Sequence, residues 1–172
     1  MAMDVQAWEN MPDGGAEGLV DAMGDRAVDM GSENIGKMMA GMADKVGDFD
    51  SELMSGFTNA MEGTDIAGIP SEAAEHMVGF FNDVSTEQQA GMMAALDPEM
   101  MSESFTGEEM VSAVASWTPE DAKVMDDDAA KFVMEAMFRS DDETIAISSE
   151  VQAVIAAALD PDSVRSGEIN PE

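Results

Sequence analysis

The clearest structural signal in the chain is the stretch at residues 85–105, which reads STEQQAGMMAALDPEMMSESF. It opens with a Ser suited to cap a helix, and its apolar residues then recur at helical spacing. Halfway along, Asp97, Pro98 and Glu99 form a second helix start, because Asp caps a helix well and Pro fits the first helical turn. The stretch therefore predicts a helix of about ten residues followed by a shorter helix.

The same pattern recurs along the chain at a spacing of about 21 residues. Copies of equal length begin at Ser85, Thr106, Asp127 and Ser148, and copies of slightly different length begin at Pro12, Gly31, Asp50 and Pro70. Helices this short are marginal alone and need neighbours to pack against. We therefore predict an all-α solenoid of about eight short helical hairpin repeats of roughly 20 residues, with an irregular helical bundle as the alternative.

The repeats suggest a simple division of the chain. Residues 1–11 are predicted to form an N-terminal extension, residues 12–166 the helical repeat domain, and residues 167–172 a flexible C-terminal tail. Trp8, in the extension, is expected to cover the apolar face that the first repeat would otherwise expose, because solenoid ends need such covering.

Two columns of the repeat are predicted to form the apolar face of each first helix. They are the eighth and twelfth positions, which share one side of an α-helix because they are four residues apart. The eighth positions are Leu19, Met38, Phe57, Met77, Met92, Ala113, Met134 and Ile155. The twelfth positions are Met23, Met42, Met61, Phe81, Leu96, Trp117, Phe138 and Leu159. We expect these side chains to be buried.

A short apolar helix followed by a cap, a Pro and an acid occurs at residues 94–101 (AALDPEMM), 116–125 (SWTPEDAKVM) and 157–164 (AALDPDSV). In this respect residues 85–164 resemble the cytosolic N-terminal domain of MgtE-type magnesium channels. The resemblance implies a superhelix of short helices and a link to divalent cations. The chain departs from that family in lacking its nucleotide-sensing domain and transmembrane helices, and in being richer in Met and poorer in Arg.

Charge is the second strong feature, because 37 acidic residues against 7 basic ones give a net charge of -30. So few basic residues cannot neutralise a stripe of phosphates, and we expect no direct nucleic-acid binding. No run of about 18 apolar residues occurs, so we expect no membrane span. The absence of Cys excludes thiolate catalysis and zinc-thiolate sites. With no secretory signal in the first residues, these features predict a cytoplasmic protein.

Three physical interpretations of the acidity remain open. In a salt-rich cytoplasm, counterions screen carboxylates, and a dense acidic surface keeps the protein soluble. In ordinary salt, the same surface steers a basic protein partner and raises its encounter rate. Thirdly, the carboxylates imitate the phosphates of DNA and bind a protein that normally binds DNA.

Acidic residues near predicted helix boundaries are the candidate metal ligands, because Mg²⁺ and Ca²⁺ prefer carboxylate oxygens. These residues are Asp121, Asp126, Asp127, Asp128, Asp141, Asp142 and Glu143. The alternative is that they form solvated, helix-capping turns, since none of them fits the calcium-loop pattern.

Seven Met residues in closely spaced groups have three interpretations: core packing, an adaptable apolar groove for a partner helix, and copper binding through thioethers. They are Met38, Met39, Met42, Met92, Met93, Met100 and Met101. Catalysis has little support, because His76 is the only His and is expected to be a partly exposed helix residue.

The sequence thus favours a non-catalytic acidic protein–protein interaction module, such as an adaptor, an assembly factor or a small subunit of a larger complex. Carboxylates would steer the partner, and Met or Phe residues would contact it. The alternatives are a divalent-cation (Mg or Ca) buffer or sensor, and a DNA mimic that binds a basic partner.

Overall fold

The described part of the chain folds entirely into helices and turns. The computed structural model describes residues 29–139 and 146–159, together with Gln6, Trp8, Gly15, Gly18 and Arg26. Over these residues no strand occurs, and the all-α prediction is confirmed.

Short helices follow one another with brief connections. The α-helices are α1 (Ser32–Gly41), α2 (Ser51–Ala60), α3 (Gly63–Ile66), α4 (Ser71–Ala74), α5 (Thr86–Ala95), α6 (Pro98–Ser104), α7 (Gly107–Val114), α8 (Asp127–Arg139) and α9 (Ser149–Ala158). The 3₁₀ helices are Ala43–Asp48, Glu75–Asp83 and Asp121–Val124. The copy that begins at Pro70 thus changes from an α-helix to a 3₁₀ helix, in a segment that contains the helix-weakening Gly79 and two Phe residues.

The N-caps lie largely where the first column of the repeat predicts them. A hydrogen bond from the backbone N–H three residues on is accepted by the side chains of Asp50, Ser85, Thr106 and Ser148. In α5 and α7 the third helical residue, Gln88 or Glu109, also accepts a hydrogen bond from the N-cap backbone, which completes a capping box in each helix. Asp97 caps α6 directly before Pro98. Local sequence therefore determines where these helices begin.

One predicted helix start is wrong by one residue. The repeat pattern starts this copy at Asp127, whereas the carboxylate of Asp126 accepts the capping hydrogen bond from the N–H of Ala129 at 2.9 Å. Residues 126–128 are all Asp, so in local terms each is an equally good cap. Packing makes the choice, because the start at Asp126 buries Ala129 and Val133.

The shifted start changes which side chains of α8 enter the core. The eighth position of this copy becomes Val133, which is buried, and the twelfth becomes Met137, which is partly buried. Met134 is also partly buried. Phe138 has 54% of its surface exposed, so the prediction that it belongs to the buried column is wrong.

The remaining column residues in the described ranges supply much of the core. The buried ones are Met38, Phe57, Met77, Met92, Ile155, Met42, Met61, Phe81, Leu96 and Trp117. Ala113 and Leu159 are partly buried. Trp8 of the predicted extension is also part of this core. Leu19 and Met23 lie outside the described residues.

Contacts between helices recur at a step of three elements, when α-helices and 3₁₀ helices are counted together. In the first series, α1 packs on α3, α3 on α5, and α5 on the 3₁₀ helix Asp121–Val124. In the second series, the 3₁₀ helix Ala43–Asp48 packs on α4, and α6 packs on α8. In the third series, α2 packs on the 3₁₀ helix Glu75–Asp83. The long helix α8 also packs on α9, the next element in the chain, and on α7, two elements earlier.

Hydrogen bonds also join elements that are far apart in the chain. The hydroxyl of Ser32 accepts a hydrogen bond from the N–H of Glu62, 30 residues later, at 2.6 Å. Buried Gln88 donates from Nε2 to the backbone carbonyls of Thr58 and Met61, 30 and 27 residues earlier, at 2.8 and 2.7 Å. Gln88 therefore caps the C-terminal end of α2, whose carbonyls lack partners within the helix.

The neighbouring residue Gln89 joins two further elements. Its Nε2 donates to the carbonyl of Phe81 at 2.9 Å, and its Oε1 accepts a hydrogen bond from the indole N–H of Trp117, 28 residues later, at 3.1 Å. The side-chain groups and the backbone carbonyl that form these two bonds lie in the interior of the protein. The bonds therefore satisfy polar atoms that water does not reach.

Contacting partners are three elements apart in the chain, whereas one sequence repeat of about 21 residues contains two elements. The spacing of the contacts is therefore longer than the sequence repeat. A repeat arrangement and a helical bundle are both consistent with these contacts. The solenoid itself stays a prediction.

The closest helix crossing joins α3 and α5 through two glycines. A Cβ atom at Gly91 would lie 2.2 Å from the carbonyl oxygen of Gly63, and a Cβ atom at Gly63 would lie 2.2 Å from that of Glu87. Neither distance leaves room for a side chain, so the crossing requires glycine at both positions.

Candidate functional site

A groove with a volume of about 1010 Å³ lies between α6, the first turn of α7 and the outer side of α8. We call it the α6–α8 groove. Its apolar lining residues are Pro98, Phe105, Phe132 and Ala136, and its charged lining residues are Glu108, Asp128, Lys131, Glu135 and Arg139. Ser102 and Gly107 complete the lining.

The apolar floor of this groove is held by packing on both sides. Phe105 follows the last residue of α6, and its ring contacts the ring of Phe81 with the centroids 4.6 Å apart. At the start of α7, a Cβ atom at Gly107 would lie 3.5 Å from the Cβ of Ala136 in α8. These small residues bring α7 and α8 close together below Phe132, whose ring is only partly buried.

Charged side chains of α8 line one side of the groove. Lys131 Nζ lies 2.8 Å from a carboxylate oxygen of Asp127 and 3.8 Å from one of Asp128. About two turns further on, the guanidinium of Arg139 lies 3.0 Å from the carboxylate of Glu135. Both cations thus pair with carboxylates of their own helix.

A second hollow of about 600 Å³ lies on the other side of α7 and shares Glu108 with the α6–α8 groove. Glu109 also lines it. Hydrogen bonds from the backbone N–H and the hydroxyl of Thr106 hold the pKa of Glu109 below its ordinary value. The carboxylate of Glu109 therefore stays ionised well into acidic solution.

The structure gives the acidic residues 121–128 local roles. Asp121 accepts hydrogen bonds from the N–H and the hydroxyl of Thr118, both at 2.8 Å, and Asp126 caps α8. Asp127 and Asp128 both lie within 4.0 Å of Lys131. These contacts agree with the interpretation of the residues as helix-capping turns.

The proposed metal ligands are not brought together where the structure describes them. Over residues 29–139 and 146–159, no three acidic or His side chains form a group that could hold a metal ion. Asp141, Asp142 and Glu143 lie outside the described residues. For these three residues, metal binding stays a prediction.

The grouped Met residues fill the core. Six of the seven are fully buried, namely Met38, Met39, Met42, Met92, Met93 and Met101. Met100 is partly buried, and its sulfur accepts a hydrogen bond from the Ser71 hydroxyl at 3.2 Å. The partly exposed apolar lining of the α6–α8 groove is therefore built from Phe and Pro rather than from Met.

His76 is a surface residue that packs against the backbone. Its side chain is 38% exposed, and its Nε2 lies 3.3 Å from a carboxylate oxygen of the adjacent Glu75. Its ring contacts Gly47, where a Cβ atom would approach the ring to 2.8 Å. Nothing in this environment resembles a catalytic arrangement in which a nucleophile is hydrogen-bonded to the ring.

Of the residues that line the groove, sequence reasoning singled out only Asp128 as a candidate site residue, and Pro98 only as part of a helix start. Phe105 and Phe132 are the signals that could have indicated it, because these aromatic residues fall outside both apolar columns of the repeat.

Comparison with protein-family models, with curated proteins and with solved structures finds no match for this chain. The similarity to MgtE-type channels therefore stays a prediction. None of the helices in the described ranges combines the length and the hydropathy needed to cross a bilayer.

Proposed function

We propose that this chain is a non-catalytic, acidic interaction module that binds a basic protein partner, as an adaptor, an assembly factor or a small subunit of a larger complex. The observation that carries the proposal is the charge: 37 acidic residues against 7 basic ones leave a net of -30. Such a surface attracts a basic protein over distances comparable with the Debye length and raises its rate of encounter.

The arrangement of the basic residues supports this interpretation. In four pairs, a cation lies within 3.0 Å of a carboxylate three or four residues away, namely Lys37 with Glu33, Lys123 with Glu120, Lys131 with Asp127, and Arg139 with Glu135. Pairs of this kind on a helix surface contribute little to stability. In each pair the cation neutralises a carboxylate beside it, so the electric field of the chain at longer range stays negative.

The α6–α8 groove adds an apolar contact surface, which charge alone does not provide. Carboxylates at a rim increase the rate of association and favour one class of partner, whereas buried apolar contacts slow dissociation. The rings of Phe105 and Phe132 are partly buried at the floor of this groove, with Glu108 and Glu135 beside them. The combination suits a protein surface that carries both apolar and basic side chains.

The test is affinity capture from an extract of the source cells at their native salt concentration, followed by mass spectrometry. The proposal predicts one stoichiometric basic protein, retained in excess duplex DNA and released as KCl is raised. Recovery of no stoichiometric protein would contradict it. A partner that duplex DNA displaces would instead support the DNA-mimic alternative.

The divalent-cation alternative is separated by a control on the same protein. A cation buffer predicts that millimolar Mg²⁺ or Ca²⁺ raises the melting temperature more than K⁺ at equal ionic strength. The interaction module predicts equal effects of these cations at equal ionic strength, because only screening of the surface charge is involved.

A further inference from the structure

We infer that the α6–α8 groove is the docking site for a basic amphipathic segment of the partner, one that presents aliphatic or aromatic side chains beside Lys or Arg. This inference rests on the proposed function and deepens it, because it assigns the binding to one surface among many acidic ones. Three properties identify the segment that fits the groove: the apolar residues of its floor, the charged residues at its rim, and the net charge of the whole chain.

The floor takes the apolar side chains of the segment. Phe105 and Phe132 are partly buried within a volume of about 1010 Å³, which is large enough for several side chains. Phe105 is fixed by its contact with Phe81, so the floor is ordered before the partner binds. A preformed apolar floor reduces the ordering cost of association.

The rim takes the basic side chains. Glu108 and Asp128 are exposed residues of the first turns of α7 and α8, and Glu135 stands two turns further along α8. The rim cations Lys131 and Arg139 lie against carboxylates of α8 and do not reverse the negative field. A guanidinium of the partner would lie over the ring of Phe132 and meet these carboxylates, as in cation–π contacts near anionic groups.

Charge argues against the two other candidates for the groove. A second copy of the chain carries the same net charge of -30, so two copies repel each other. The chain's own last residues, 160–172, contain four acidic residues and only Arg165 as a basic one. A basic segment of a different protein is therefore the complementary occupant.

The experiment measures binding of a fluorescein-labelled helical peptide of about 18 residues, with Leu on one face and Lys on the other. Two control peptides carry Glu in place of Lys, or Ser in place of Leu. The unmodified chain should bind the Leu–Lys peptide and neither control, because the groove needs both the basic and the apolar side chains.

Two sets of charge substitutions locate the binding site. The groove set is Glu108→Gln, Asp128→Asn and Glu135→Gln, and the control set is Glu33→Gln, Glu52→Gln and Glu120→Gln. The control set changes the net charge equally and breaks matching ion pairs, with Lys37 and Lys123. We expect the groove set to weaken binding about tenfold or more and the control set about twofold or less.

A second pair of variants tests the groove without changing charge. Ser102 is exposed and lines the groove, so Ser102→Trp should fill it and weaken binding about tenfold. Ser104 is an exposed residue of the same helix outside the lining, and Ser104→Trp should bind as the unmodified chain does. Circular dichroism checks that each variant keeps its helices.

The outcomes separate this inference from the proposed function. If the unmodified chain does not bind the Leu–Lys peptide, the proposed function fails as well. If it binds but both charge sets weaken binding equally, or Ser102→Trp binds normally, only the inferred site is wrong. A dimer of the unmodified chain that the groove set dissociates would place a second copy in the groove and overturn the inference.

Discussion

Single side chains before each helix determine where that helix begins. The caps at Asp50, Ser85, Thr106 and Ser148 were readable from the sequence, because capping depends on residues within one turn. The start of α8 was not readable, because three consecutive Asp residues cap equally well. The start at Asp126 accompanies the burial of Ala129 and Val133, and this packing depends on distant parts of the chain.

The capping box of α7 gives a prediction for pH. The pKa of Glu109 is lowered in the folded chain by hydrogen bonds from Thr106, so its stabilising effect is fully present above about pH 4.5. It is lost as the pH falls through the lowered pKa. We expect the melting temperature of the unmodified chain to exceed that of Glu109→Gln by a margin that shrinks as the pH falls from 4.5.

Other carboxylates are also neutralised as the pH falls, and this affects the unmodified chain and the variant alike. Comparing the two proteins at each pH therefore isolates the contribution of Glu109. Thermal unfolding followed by circular dichroism gives both melting temperatures. A margin that is constant between neutral pH and the acid limit of folding would show that the ionised form of Glu109 contributes nothing specific.

The glycine crossing gives a second prediction at this scale. A Cβ atom at Gly91 would lie 2.2 Å from the backbone oxygen of Gly63, which no side-chain movement relieves. We expect Gly91→Ala to lower the free energy of unfolding by about 2 kcal/mol or more, as in overpacked cores. Gly79→Ala is the control, since that position is exposed with no atom within 4 Å of an added Cβ.

Urea unfolding of both variants makes the comparison. For Gly79→Ala we expect a change of at most about 1 kcal/mol, in the stabilising direction, because Ala is the better helix former. Equal effects of the two substitutions would mean that α3 and α5 do not cross as closely as described.

At the level of elements, most of the short helices pack on a partner three elements away in the chain. The sequence repeat indicated where the helices start and which faces are apolar, and both predictions largely hold. It could not indicate which helices pack together, because the same apolar face can be covered by either the next hairpin or a more distant one. That choice depends on hydrogen bonds to distant parts of the chain, such as those that Gln88 and Gln89 make.

Gln89 provides the test of this packing. Gln89→Ala would leave the buried indole N–H of Trp117 and the carbonyl of Phe81 without their partner. We expect a loss of about 2–4 kcal/mol in the free energy of unfolding, because each unsatisfied buried group costs about 1–3 kcal/mol. Trp117→Phe in the Gln89→Ala background should cost less than it does alone.

A surface Gln is the matched control. Gln152 is exposed, and its Nε2 donates only to the nearby carbonyl of Ile147 at 3.0 Å. Gln152→Ala should cost about 0.5 kcal/mol or less, as surface substitutions do. Strictly additive effects of the Gln89 and Trp117 substitutions would contradict the bond between them.

At the level of the whole molecule, repulsion among carboxylates opposes folding, and a core rich in Met favours it. We expect the melting temperature to rise between about 50 mM and about 1 M KCl, because the Debye length shortens to about 3 Å at the higher concentration. The helical circular dichroism at room temperature should be the same at both concentrations. Helix that forms only in molar KCl would indicate adaptation to high salt instead of a partner-binding role.

The candidate site was the part least accessible to sequence reasoning. Its charge was evident from composition, but the groove is formed by α6, α7 and α8 together, and its shape depends on the close approach of Gly107 to Ala136. Because acidic residues are so abundant, the sequence does not distinguish Glu108 and Glu135, which line the groove, from the other carboxylates.

The central claim is that this acidic surface binds a basic partner. The most direct measurement is the dissociation constant of the unmodified chain for the Leu–Lys peptide at about 50 mM and about 300 mM KCl, read by fluorescence anisotropy. We predict binding at the lower concentration and a dissociation constant at least about tenfold higher at the other, because salt screens attraction between exposed charges. No binding at either concentration, or an affinity unchanged by salt, would contradict the claim.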